Sequence, residues 1–204
     1  MVRTLLVVAA LYSSMAWSMP DRAVAFVEDT LAKGRTIFDQ NQGEPERASG
    51  LCSLLQERLG TNSLSDLWLG QYGGLEREQA AVPEFKKMIP AIVMSKLISI
   101  LSGELKGGYT VDPISQEHEQ GLYEVGVTFE TDGGSYQGSA FVQALPEGMR
   151  VVDITYFGIS AAGYLGRDYH RILDQEYAVD PEHSLPVEAL MRHIRSQTGF
   201  RECP

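Results

Sequence analysis

The chain has 204 residues, with 27 acidic against 17 basic side chains and a formal net charge of −10. That length suits one domain with a sizeable core. The acidic balance gives no electrostatic attraction to nucleic acid or to anionic membrane surfaces, so nucleic acid is excluded as a partner.

The N-terminus reads as a leader. Arg3 supplies a short basic segment, and Thr4 to Tyr12 form an apolar stretch too short to span a bilayer. Ala16-Trp17-Ser18 then places small residues where a signal peptidase needs them, which puts cleavage before Met19. Residues 1–18 are expected to be a cleaved signal peptide and 19–204 a single exported, soluble domain; the competing reading is a membrane anchor. No cysteine follows the apolar stretch, which argues against a lipoprotein.

Pro20-Asp21 opens a helix whose apolar positions Val24, Val27, Leu31 and Phe38 share a face. Asn41 to Pro45 is a polar break, and a second helix over about 47–59 buries Leu51, Leu55 and Leu59. Cys52 lies on that apolar face. With Cys203 it either forms a disulfide pinning the C-terminal tail to this helix, or remains a buried thiol with Cys203 free. Ser65 is expected to cap a short turn holding Leu67, Trp68 and Leu69. The longest helical pattern covers about 76–101, with Phe85, Ile89, Ile92, Val93, Leu97, Ile100 and Leu101 on its apolar face. Pro90 cannot donate to Lys86, so it is expected to kink or split that helix.

Past Gly107-Gly108 the period changes to two. Tyr109 to Ile114 is a weak first strand. Tyr123, Val125, Val127 and Phe129 alternate with polar or small residues, Asp132-Gly133-Gly134 turns the chain, and Tyr136, Gly138, Ala140 and Val142 alternate back. After Pro146-Glu147-Gly148, residues 150–157 form the last strand. Links this short join antiparallel neighbours. Helices over 161–177 and 186–197 close the chain. The fold class expected is therefore α+β, an antiparallel four-stranded meander flanked by N- and C-terminal helices.

Candidate chemistry is sparse. Gly158-Ile159-Ser160-Ala161-Ala162 is one residue short of the G-x-S-x-G nucleophile elbow and sits between a strand and a helix. The elbow belongs to a parallel sheet, however, so Ser160 reads better as an N-cap than as a hydrolase nucleophile. His118, His170, His183 and His193 show no metal-ligand spacing, and no glycine-rich phosphate loop is present; no metal or cofactor is expected. Asp153, an acid inside a strand, is expected to be satisfied by solvent or by a neighbouring helix N-terminus. What remains is apolar surface in quantity. It makes either a solid core or the lining of a cavity, and small residues at Gly138 and Ala140 suit both.

Three stretches together carry a resemblance. They are Leu67-Trp68-Leu69-Gly70-Gln71-Tyr72 followed by Glu78-Gln79 and Phe85; Val151-Val152-Asp153-Ile154 with Gly158-Ile159-Ser160; and Tyr164 through Leu173 with Arg192-His193-Ile194-Arg195. In this order and spacing they resemble the toluene-tolerance (MlaC) family of periplasmic phospholipid-binding proteins. Gly73, Met149 and Phe157 depart from the family pattern, where two aromatics and an acid are usual. The resemblance implies a non-catalytic periplasmic carrier holding phospholipid acyl chains in an apolar cavity. It also implies partners: an inner-membrane ABC transporter complex with an MCE-type subunit and an outer-membrane lipoprotein complex. A hopanoid is the alternative ligand, and a Ser160 esterase or a ligand-free adaptor the alternative functions. The lining expected is Val125, Val127, Phe129, Ala140, Val142, Val152, Ile154 and Tyr156 from the strands, with Phe85, Ile89, Ile92, Val93 and Leu97 from the long helix.

Overall fold

The computed structural model describes residues 18–40, 43–118, 121–131, 134–197, 200 and 202–203, with the side chains of 97–107 and 131 left aside. The expected leader before Ser18, the side chains of Leu97, Ile100 and Leu101, the turn expected at Asp132-Gly133 and the helix stop expected at Thr198-Gly199 therefore lie outside the described residues. Six helices and five strands follow one another as α1 (Met19–Asp39), α2 (Glu44–Arg58), α3 (Thr61–Leu69), α4 (Ala81–Gly107), β1 (Tyr109–Glu117), β2 (Leu122–Thr131), β3 (Gly134–Leu145), β4 (Gly148–Tyr156), β5 (Ile159–Ser160), α5 (Ala161–Val179) and α6 (Pro186–Ser196). Two 3₁₀ turns at Gly70–Gly74 and Glu76–Glu78 link α3 to α4.

The sheet is an antiparallel meander in the order β1-β2-β3-β4-β5. It has five strands where periodicity suggested four. The fifth is two residues long, too short to show a period, and returns along Thr155-Tyr156 through a turn at Phe157-Gly158. Phe157, expected inside a strand, is instead a turn residue with φ of 51°.

Local chemistry sets most helix ends. Ser18 accepts from the Asp21 amide while the Asp21 carboxylate accepts from the Ser18 amide, a reciprocal capping box that opens α1. Pro45 and Pro186 sit in the first turns of α2 and α6, where their missing N–H costs nothing. Ser65 is not a cap. It lies inside α3, buried, because the helix already begins at Thr61. The helix α4 starts at Ala81, later than expected, and runs through Pro90 without splitting.

Covalent and ionic ties hold the N-terminal helices. A disulfide joins Cys52 on α2 to Cys203, with 5.5 Å between the Cα atoms. Arg58 at the end of α2 donates to Asp29 of α1 at 2.6 Å and lies over the Phe26 ring, 5.0 Å from its centroid. The ammonium of Lys33, aided by the Arg58 guanidinium, holds the Asp29 carboxyl below its ordinary range.

Candidate functional site

Strand alternation puts Tyr123, Val125, Val127 and Phe129 of β2 on one face, and the register pairs them with Val142, Ala140, Gly138 and Tyr136 of β3. Gly138 is required by packing, since a Cβ there would lie 2.6 Å from the Thr155 carbonyl oxygen. On β4 the alternation breaks. Phe141 pairs with Asp153 but Val142 with Val151, so Val152 is an extra residue in a bulge. Met149 and Val151 thereby join the apolar face on one side of the bulge, while Ile154 and Tyr156 keep it on the other. Strict parity had assigned Val152 inward; the buried residues are Val151 and Met149.

This face is shared by two helices: α4 lies against β2, and α1 lies against β1 and β2. Val125, Val127, Phe129, Ala140 and Val142 pack with Ala23, Val24 and Val27 of α1. Phe85, Ile89, Ile92 and Val93 pack instead with Trp68 and Leu69 of α3, Tyr169 and Leu173 of α5, and Val187 and Leu190 of α6. The reason is visible in α4 itself. Seven consecutive residues, Met88 to Met94, are buried, so the helix is enclosed on every side and its stripe does not select one neighbour.

Where the two groups meet, Val93, Val152 and Ile154 surround a small apolar cavity with Leu59, Leu64, Trp68, Val151, Ala161, Ala162 and Leu165. Its volume is about 40 Å³. A cavity of roughly 150 Å³ is needed to take up a benzene ring, so acyl chains do not fit without movement of the surrounding helices. Tyr156 lies away from it, at the end of the sheet, where its ring meets those of Tyr136 and Phe157. A wider groove of about 580 Å³, open to solvent, runs between α1 and β1 along Ala25, Glu28, Asp29, Ala32, Tyr109, Thr110 and Val111. Val93, Val152 and Ile154 were among the lining residues expected; of the others around these two spaces, Trp68 and Leu64 carried a signal, four residues apart on one helix face. The α1 side of the groove had none.

The strand-to-helix corner is built for capping. Ser160 Oγ accepts from the Gly163 amide at 2.8 Å and opens α5. Asp153 Oδ1 accepts from the Ala162 amide at 2.9 Å and from the Ile154 amide at 2.8 Å, so this strand acid meets a helix N-terminus. The histidines are dispersed. His118 pairs with Glu124, His183 with Asp180, His170 with the Leu67 carbonyl and His193 with Gln197. Among the described residues, no three metal-ligating side chains gather.

The other motif residues are staples between helices. Trp68 Nε1 donates to the Ala162 carbonyl at 2.9 Å, and the Tyr72 hydroxyl donates to Asp174 at 2.5 Å. Arg77 donates to the carbonyls of Pro181 and Ser184, fastening the loop before α6. Glu78 is fully buried; its Oε1 accepts from the Val187 amide in the first turn of α6 at 2.9 Å. Burial pushes the Glu78 carboxyl above its ordinary value of 4.5. The folded state then holds the proton more tightly than the unfolded chain, so the contribution of Glu78 is complete below 4.5 and falls as pH rises through the folded value. Glu78→Gln removes this dependence. Urea unfolding should show the variant gaining on the wild type between a pH below 4.5 and neutrality; parallel pH profiles would contradict the assignment.

No protein-family model matches the sequence, and no curated protein matches it. The fold is similar to that of the phospholipid-binding protein from Ralstonia solanacearum, solved in complex with a phospholipid. The TM-score is 0.60 at 13% identity, covering 86% of this chain and 96% of that one. At that identity the likeness is one of fold: this chain folds, over most of its length, as that phospholipid-binding protein does.

Proposed function

We propose that this protein is a periplasmic lipid carrier that encloses acyl chains between its sheet and helices. The observation that carries the reading is the likeness of fold to a protein solved with a phospholipid, over most of both chains. Two further features support it. The Cys52–Cys203 disulfide suits an oxidising, exported setting, and the N-terminal sequence suits export. The thermodynamic need is large, because about 30 methylenes of a two-chain lipid, at about 0.8 kcal/mol each, cost on the order of 25 kcal/mol in water. A phospholipid is the ligand proposed, with a hopanoid as the other apolar lipid to test. Delivery between an outer-membrane lipoprotein complex and an inner-membrane ABC transporter with an MCE-type subunit is the proposed route.

The cavity of about 40 Å³ favours a second reading, an adaptor with a solid core. The carrier reading requires the helices over the sheet to move, α1 among them, since α1 packs on the strand residues proposed to line the site. Native mass spectrometry of protein purified from its own cells separates the two. A bound lipid mass is expected, and a clean apo mass under gentle conditions would end the carrier reading.

The lining is tested at Val127. Its cross-strand neighbours are Val111 and Gly138, so an indole at 127 would lie over the glycine and fill the space that acyl chains must occupy. Val127→Trp is expected to fold, with an overpacking cost of about 1–3 kcal/mol, and to lose most of its co-purified lipid. Unchanged lipid in the folded variant would remove this face from the site.

A further inference from the structure

The turn between β4 and β5 is the least ordinary part of the surface. Phe157 and Gly158 both have positive φ, 51° and 74°, the geometry of a two-residue hairpin that normally takes asparagine, aspartate or glycine. A phenylalanine there is a conformational outlier. Its ring packs edge-on to Tyr156 at 4.5 Å and to Tyr136 at 5.5 Å, yet the residue remains 64% exposed. Ile159 is 60% exposed and Tyr164, one turn into α5, 56%. No atom comes within 4 Å of a Cβ built on Gly158, so the hairpin projects into open space.

Charge is arranged around this tip. In a chain of net charge −10, neither Ser135–Ser139 nor Thr155–Tyr164 contains a charged residue. Of the nearby acids, Asp153 is engaged with the amides of Ile154 and Ala162. Glu130 pairs with Ser135 and, by alternation from Phe129, lies on the other face of the sheet. Beside the patch on α5 stand Arg167, whose guanidinium lies over the Tyr164 ring at 6.0 Å, and the exposed acid Asp168.

We propose that Phe157, Ile159 and Tyr164 form a membrane-docking tip that enters the headgroup region of a zwitterionic phospholipid bilayer. Aromatic and aliphatic side chains with a polar edge are suited to that layer. Arg167 would meet lipid phosphate, and the acidic remainder of the protein would keep contact shallow and reversible. Area distinguishes a bilayer from a protein partner. Three partly exposed side chains offer on the order of 350 Å², against about 800 Å² per partner in a stable protein interface. This surface does not depend on whether the core takes up a lipid.

Flotation of the full chain with vesicles of phosphatidylethanolamine and phosphatidylcholine tests the proposal. The wild type is expected to float. Phe157→Asn combined with Ile159→Ser should float about tenfold less or weaker still, with an unchanged unfolding midpoint, because asparagine tolerates the left-handed backbone. A wild type that stays in the soluble fraction would overturn the proposal, as would a folded variant that floats equally well. Binding that requires added phosphatidylglycerol would also overturn it, and so would wild-type self-association abolished by the same substitutions, which would make the patch a contact between copies.

Discussion

Cys203→Ser is expected to lower stability by about 5 kcal/mol, the loop-closure value for a bridge spanning 151 residues. The bond connects α2 to the tail that follows α6, so the sheet and helices α3 to α6 lie within its loop. Among the described residues of the tail, Arg195 pairs with Glu202 at 2.8 Å, and Phe200 rests against the main core. Serine at 203 is the informative change. Cys52 is buried among Leu51, Met94 and Leu55, so serine at 52 would add the cost of a buried hydroxyl to the loss of the bond. A domain of this size stabilised by about 5–15 kcal/mol would lose a third or more of that margin, a fall of roughly 10–20 °C in melting temperature. Thermal unfolding of the wild type in reductant should coincide with that of Cys203→Ser. A reduced wild type that melts where the oxidised protein does would show that the bridge adds nothing.

The strands were legible because one face of the sheet is buried and the other is not. Tyr123 to Phe129 and Tyr136 to Val142 alternate cleanly, and the register pairs those very positions. The same logic failed on β4, where a bulge at Val152 shifts the phase by one residue, and a bulge leaves no mark in composition. It failed again at Phe157, since a bulky aromatic at positive φ contradicts every local preference. Ser160 and Asp153 were readable as helix-terminal residues because a polar side chain at a strand-to-helix junction has few other ways to be satisfied.

The expected site was less legible than the fold. Nine of its twelve described residues are buried, but burial does not say against what. The stripe on α4 suggested a helix lying on the sheet; α4 does lie against β2, but Met88 to Met94 are enclosed on all sides and α1 shares the strands. Helix α1 has an apolar face of its own, at Val24, Val27 and Leu31, and two amphipathic helices competing for one sheet cannot be ranked from periodicity. The motif carrying the resemblance likewise turned out to hold α3 against α5 and α6, through Trp68, Tyr72, Arg77 and Glu78, rather than to line a cavity of lipid size.

Trp68→Ala should therefore be as damaging as any change in the core, costing about 3–5 kcal/mol. The ring is 1% exposed and meets Phe85 and Tyr169 edge to face, with centroids 6.4 and 5.5 Å away. Helix α5 approaches it so closely that a Cβ on Gly166 would lie 3.3 Å from the indole. Three effects compete: lost volume, lost aromatic pairing and the lost bond to the Ala162 carbonyl. The hydrogen bond is worth about 0.5–1.5 kcal/mol, so volume should dominate. Trp68→Phe, which keeps a ring in the pocket, should cost clearly less than Trp68→Ala in urea unfolding. Because Trp68 also lines the 40 Å³ cavity, the alanine variant enlarges that space and should bind a small apolar ligand such as benzene, seen as a ligand-dependent rise in melting temperature. Equal losses for phenylalanine and alanine would instead make the hydrogen bond to Ala162 the tie between α3 and α5.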